Sequence, residues 1–388
     1  MSLKVLVFVY VSILSALLSA HMVVPVVGLY MTVVLGAGPL MVGLVYSIGT
    51  LTSFVLRIPA AWVSHRLGAR NTMAAGLVAS TAGSAVYGVA TTPEHMVVGS
   101  LLRGVGSAFF FPSALSTVYE EAEGGRGDAR GLGYMLTAPA LGMAVGPAVG
   151  AGVLSLTGYR PTFFTAAAIS SIGFLSILSV ESHVKNNVQG AVNSLYDKRF
   201  LSLLVSRFFI NYITGTVSAF LPLMAKMALG YEEPVILLLF SAGAAVNLLS
   251  RALIGAAAGK LGAQNYILAG SLTLSASAVL LSLTNESLVW AGMLLYGFGM
   301  GVFVVGSVYL TGLILPPESR TMGFALLTLV IDLGSSAGNF FSGVVLTVAG
   351  FAEVFIIGAL AGLVGAAVDV FSRRWPLPSE RRRQASVG

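Results

Sequence analysis

The chain contains no cysteine, which excludes disulfides, thiol catalysis and cysteine-based metal sites. Charge is scarce too. Only 9% of its 388 residues are Asp, Glu, Lys or Arg, while 56% are hydrophobic. A soluble domain carries charge on about a quarter of its residues, so a water-soluble fold is excluded. No G-x-x-x-x-G-K-[ST] loop is present, which removes ATP as the direct energy source. Nothing resembles an ion selectivity filter. No basic surface is interleaved with stacking aromatics, so nucleic acid is not an expected partner. The sequence predicts no metal and no cofactor.

What is present is a succession of long apolar runs. Crossing a bilayer takes about 20 mostly apolar residues, and twelve runs qualify. They cover residues 5–31, 40–63, 72–91, 96–118, 132–156 and 161–180, then 200–225, 234–258, 266–284, 288–313, 322–348 and 353–371. Barrel strands would alternate over about 10 residues, and these runs are longer and continuous. The first run is too long for a signal-peptide core and is read as a retained helix. The predicted fold is therefore all-α and integral to the bilayer of the cell membrane.

Basic residues set the orientation. Fifteen of the 21 Lys and Arg fall on one face, among them Arg66, Arg70, Lys185, Lys260, Arg320 and Arg381. The opposite face holds only Arg160 and Lys226, and Arg57, Arg103, Arg207 and Arg251 lie within spans. An even number of spans then places both termini in the cytoplasm. The formal charge of +6 reflects this bias and the basic tail.

The two halves of the chain repeat each other. Arg57 precedes His65-Arg66-Leu67-Gly68-Ala69-Arg70-Asn71, and Arg251 precedes Gly259-Lys260-Leu261-Gly262-Ala263-Gln264-Asn265 in the same register. Leu101-Leu102-Arg103-Gly104-Val105-Gly106 returns as Leu294-Leu295-Tyr296-Gly297-Phe298-Gly299. Leu141-Gly142 to Gly146-Pro147 returns as Leu333-Gly334 to Gly338-Asn339. Two like halves around a midplane site are a common plan among secondary transporters. The predicted organisation is a six-helix bundle at 1–180, a linker at 181–199, a second six-helix bundle at 200–372 and a basic tail at 373–388, the two bundles being pseudo-symmetric.

Over essentially its full length the chain resembles the major facilitator superfamily, nearest in motif to its drug/proton antiporter-like branches. The family's loop after the second helix reads roughly G-x-L-A-D-R-x-G-R-R. Here Arg66, Gly68 and Arg70 fit, Ala61 replaces the glycine and His65 replaces the acid. That acid belongs to a cytoplasmic gate latch in the family. His65 therefore reads either as a pH-sensitive latch or as a solvated loop histidine. The fifth span matches G-x-x-x-G-P-x-x-G-G at Gly142, Gly146, Pro147 and Gly150, with Ala151 in the last place. Glycines four apart share one helix face and admit another backbone. That face is expected to pack against the other half, and Pro147 to kink the helix. The family associates this motif with export.

Ionisable groups within spans are functional candidates by default. Asp332 lies near the middle of the eleventh span and belongs to a stripe at helical spacing, Thr328, Asp332, Ser335, Ser336, Asn339 and Ser342. Such a stripe must face protein or water. Arg103 and Arg207 could each pair with Asp332 or face an anionic substrate, and at least one such pairing is expected. His21, Asn211 and Asn247 sit near mid-depth, and the resemblance adds Tyr296 as a lining residue with His21, Arg103 and Asn211. Arg57 and Arg251 occupy equivalent places near the cytoplasmic ends of two helices, which argues for a shared structural job. The acidic group Glu120, Glu121 and Glu123 reads as a solvated turn.

The expected function is secondary active transport of a small organic molecule by a monomer in the lipid bilayer. Alternating access and coupling to protons would drive export. The alternative is proton-coupled uptake of a small organic anion, with Arg103 or Arg207 as counter-charge. A lipid-modifying membrane enzyme would need clustered acids with a metal, or a nucleophile beside a base, and neither is apparent.

Overall fold

A computed structural model describes residues 3–123, 129–180, 195–256 and 262–375 of the chain. Helix α1 covers Leu3–Leu29 and runs on as a π-helical turn, Tyr30–Val34. Then come α2 Pro39–Leu67, α3 Ala69–Val89, α4 Pro93–Glu123, α5 Ala129–Thr157 and α6 Tyr159–Leu178. The second set is α7 Lys198–Met227, α8 Glu233–Ala256, α9 Ala263–Ser282, α10 Glu286–Ile314, α11 Pro317–Val348 and α12 Phe351–Ser372. Twelve of the described helices are long and apolar enough to cross a membrane, in agreement with the twelve predicted spans. Helices satisfy every backbone group internally, which hydrocarbon demands. Large apolar side chains such as Leu156, Ile58 and Leu253 are left exposed on the helix surfaces, as lipid-facing residues would be.

Several helices outrun their predicted ends. Glu120, Glu121 and Glu123, expected in a turn, belong to the last turns of α4. Glutamate is a good helix former, so polarity alone did not end the helix there. α11 begins at Pro317 rather than 322, since proline is well suited to a first helical turn. Most of the 181–199 linker and of the 373–388 tail lies outside the described residues.

The repeat is visible in backbone geometry. Gly68 joins α2 to α3 at φ 83°, ψ 153°, and Gly262 precedes α9 at φ 74°, ψ 144°. Both fall where a Cβ would be strained, so the matching glycines perform the same reversal in the two halves.

The contacts gather into two units. One comprises Met1–Asn186 with Val217–Ala244 and Asn339–Thr347; the other comprises Asn187–Thr216, Ala245–Gly338 and Val348–Gly388. The first unit has a core of Val9, Ile13 and Leu17 from α1 against Met73 and Leu77 of α3, Phe110 of α4, Ala138 of α5 and Ile177 of α6. Within it, the far ends of α7, α8 and α11 also reach the first six helices. Tyr159 donates to Glu233 Oε1 at 3.1 Å, Lys226 Nζ lies 3.0 Å from the same oxygen, and Ser241 donates to the Ala144 carbonyl. Gly43 and Gly343 let α2 and α11 meet backbone to backbone. In the second unit, small residues do the same work. Gly334 and Gly338 of α11 sit on the Phe208 and Tyr212 carbonyls of α7, and Gly270 of α9 on Phe303 of α10. Small-residue faces are the usual means of close approach between membrane helices.

Candidate functional site

In the first unit, α1, α3, α4 and α5 bring together two of the predicted residues. Arg103 Nη1 donates to Ser84 Oγ at 2.5 Å, its stem lying against Gly83, where a Cβ would not fit. His21 lies within electrostatic reach of the Arg103 guanidinium. The neighbouring Tyr87 hydroxyl shares a 2.7 Å hydrogen bond with Ser100 Oγ. Gly146 of α5 packs directly on α1: a Cβ there would come 2.8 Å from the Leu18 carbonyl and 3.1 Å from His21 Cβ. Gly142 meets Leu17 and Leu18, while Gly150 meets Met22 and Leu237 of α8. The glycine face of α5 was expected to meet the other half. Its partner is chiefly α1, because the small residues of α5 receive the adjacent backbone at residues 17–22. The unit thus carries an imidazole and a guanidinium within electrostatic reach of each other, on a backbone held close by glycine. Pro147 lies within α5.

The second unit collects Arg207, Asn211, Asn247 and Tyr296. Tyr296 donates to Thr214 Oγ1 at 3.2 Å, tying α10 to α7. Asn211 turns back to its own helix, donating to the Arg207 carbonyl at 2.8 Å. Asn247 is buried on α8, close to Gly301 of α10. Arg207 is 7% exposed, its guanidinium 5.8 Å from the Phe303 ring centroid, and its Nε and Nη1 are buried with no hydrogen-bond acceptor among the described residues. A pairing of Arg207 with Asp332 is therefore not made through those atoms.

On α11 the polar stripe is buried over its second half, while Thr328 and Asp332 are half-buried. Ser335, Ser336, Asn339 and Ser342 are buried, while Leu333, Phe341 and Val344 face outward. Asn339 Oδ1 is buried with no donor among the described residues.

The gate-motif residues have local roles. Arg66 stacks on Trp62 with its guanidinium carbon 3.8 Å from the ring centroid. Arg70 Nη2 donates to the Leu178 carbonyl at 2.5 Å, capping the C-terminus of α6, where a cation also complements the helix dipole. The side chain of His65 lies outside the described residues. Arg57 donates to Ser53 Oγ at 3.1 Å, consistent with the structural job expected of it.

One buried acid escaped the sequence reading. Asp369, on α12, is 6% exposed and accepts hydrogen bonds from Ser206 of α7 at 2.9 Å and Ser271 of α9 at 3.1 Å. The signal was available: it is a carboxylate within an apolar span, like Asp332.

The sequence profile of the Major Facilitator Superfamily matches the chain over residues 9–303 and 203–387. The chain belongs to this superfamily. Among its superfamily relatives, Multidrug resistance protein 1 of Bacillus subtilis (strain 168) is 23% identical over 240 residues, covering 60% of this chain and 61% of that protein. Methylenomycin A resistance protein of the same strain is 24% identical over 194 residues, 50% of this chain and 38% of that one. Inner membrane transport protein YajR of Escherichia coli (strain K12) is 22% identical over 186 residues, 47% and 40% of the two chains. The matches thus span about three-fifths or less of these relatives' lengths. Among solved structures, the nucleoside transporter NupG superposes with a TM-score of 0.76 at 17% identity, over 97% of this chain and 100% of that one. A bacterial homologue of the human lysosomal transporter Spinster does so with a TM-score of 0.81 at 12% identity, over 95% and 96%. These likenesses establish the fold. With twelve membrane-length helices and superfamily membership, the protein is a multi-pass membrane transporter of the cell membrane rather than an enzyme.

Proposed function

We propose that this protein is a proton-coupled exporter of small organic molecules that works by alternating access, with both termini in the cytoplasm. The observation that carries the reading is the α5 glycine face. It follows the antiporter-associated spacing, and it packs directly on α1 at Leu17, Leu18 and His21. The resistance proteins among the relatives support export in the same direction. In this reading Asp332 carries the proton, because it belongs to the polar stripe at mid-depth on α11. His21 and Arg103 in the first unit, and Asn211, Asn247 and Tyr296 in the second, are the proposed substrate-contacting residues, and the chain acts as a monomer.

The test is accumulation of a fluorescent cationic drug such as ethidium in a drug-sensitive bacterial host. Cells expressing the protein should hold several-fold less dye, and a protonophore should abolish the difference. Equal accumulation with and without the protein, across ethidium and a panel of neutral and anionic dyes, would sink the export reading.

A further inference from the structure

In the second unit, Arg207 and Arg251 have buried nitrogens that lack acceptors among the described residues. Arg207 of α7 is almost fully buried, and its Nε and Nη1 are the atoms in question. Arg251 of α8 stands within electrostatic reach of it, and its Nε is likewise buried without an acceptor. The two charges repel. The first copy of the repeat handles the matching position differently, since Arg57 there donates to Ser53 Oγ. In the second copy Asn247 stands where Ser53 stood, and Ser250 Oγ donates to the Asn247 carbonyl instead. Phe303 closes the arrangement, its ring beside the Arg207 guanidinium. Gly301 holds α10 against α8 at the Asn247 and Ser250 positions.

A buried cation without a partner is strongly unfavourable, and a second cation within electrostatic reach adds to the cost. Guanidinium forks match the planar, paired oxygens of a carboxylate or phosphate. We propose that Arg207 and Arg251 form a binding site for an oxyanion group, a carboxylate or phosphate, within the second unit. Arg207 lies nine residues into α7 from Lys198, or about 13 Å along the axis. Arg251 lies five residues before Ala256, about 8 Å from the described end of α8. Both arginines therefore lie toward the predicted cytoplasmic ends of their helices, and the oxyanion would come from the acidic group of a substrate or from a lipid headgroup. The proposal extends the transporter reading to substrate chemistry but does not need export or proton coupling to hold.

The experiment uses the purified full-length protein in detergent and follows its thermal unfolding. Sodium phosphate or sodium benzoate should raise Tm by several degrees over sodium chloride at matched ionic strength, because a ligand that binds only the folded state stabilises it. Arg207→Met and Arg251→Met should each remove that rise, while Arg57→Met keeps it. A rise seen only with phosphatidylglycerol vesicles, and lost in the same two variants, assigns the site to a lipid headgroup and supports the oxyanion chemistry. In anion-poor buffer Arg207→Met should be at least as stable as the parent, since it removes an uncompensated charge. An anion effect that persists in both variants, or no effect of phosphate, benzoate or anionic lipid on the parent, would overturn the proposal. So would an Arg207→Met variant that is severely destabilised in anion-poor buffer, because the guanidinium would then have a structural partner. Loss of ethidium export without loss of the anion effect would refute the exporter reading alone.

Discussion

Each ionisable side chain inside this transporter has to be satisfied or used, and the two buried acids illustrate the alternatives. Asp369 is satisfied: Ser206 and Ser271 donate to it from two other helices. Truncation to Ala strands both hydroxyls. Side-chain hydrogen bonds between membrane helices are worth roughly 0.6 kcal/mol each, so the loss should be about 1 kcal/mol, seen as a fall of a few degrees in Tm. Asp369→Asn retains an acceptor and should lose less, and neither change should alter the pH dependence of transport. Asp332 is half-buried in a stripe whose second half lies inside the protein. Asp332→Asn preserves size and hydrogen bonding but removes the titration. In proteoliposomes it should abolish accumulation driven by a pH gradient and leave downhill exchange largely intact; undiminished gradient-driven transport would reduce Asp332 to a structural residue. Both acids were equally legible in the sequence as charges within apolar spans. Their difference in burial was not, because it depends on how closely the neighbouring helices pack around each of them.

Among the elements, the helices themselves were legible almost throughout, since hydrocarbon leaves a polypeptide few structures to adopt. Their ends were less so, as α4 shows by carrying three glutamates past the predicted stop. The spacing of Gly142, Gly146 and Gly150 announced a face that another backbone approaches closely. It carried no label for that backbone, and the structure assigns it mainly to α1. Gly146→Leu places a bulky side chain against the Leu18 carbonyl and His21 Cβ, where even one carbon would come 2.8 and 3.1 Å from its neighbours. Overpacking of this kind costs roughly 1–3 kcal/mol. Since the cost falls on the seating of α1 at His21, turnover should drop by a larger factor than substrate affinity. Normal transport rates in a well-folded Gly146→Leu variant would remove the glycine face from the mechanism and leave it as ordinary packing.

For the molecule as a whole, the repeat was legible because it is written twice, in the Arg57 and Arg251 segments and in the paired Gly68 and Gly262 reversals. Its orientation in the membrane is an electrostatic matter that helix packing does not record. Fifteen basic residues on one face against two on the other predict cytoplasmic termini. The absence of native cysteine makes the prediction simple to test, because any introduced thiol reports alone. Thr92 and Thr157 are exposed at helix-end turns on the predicted outer side. Ser182 and Ser379 fall in the predicted linker and tail. A membrane-impermeant maleimide added to intact cells should label cysteine at Thr92 or Thr157 and spare cysteine at Ser182 or Ser379, with the pattern reversing in inverted vesicles. Labelling of the Ser379 position from outside would put the tail on the wrong face for an even number of spans. The proposed export direction and the predicted cytoplasmic placement of Arg207 and Arg251 would both then have to be redrawn, since each is defined from that face.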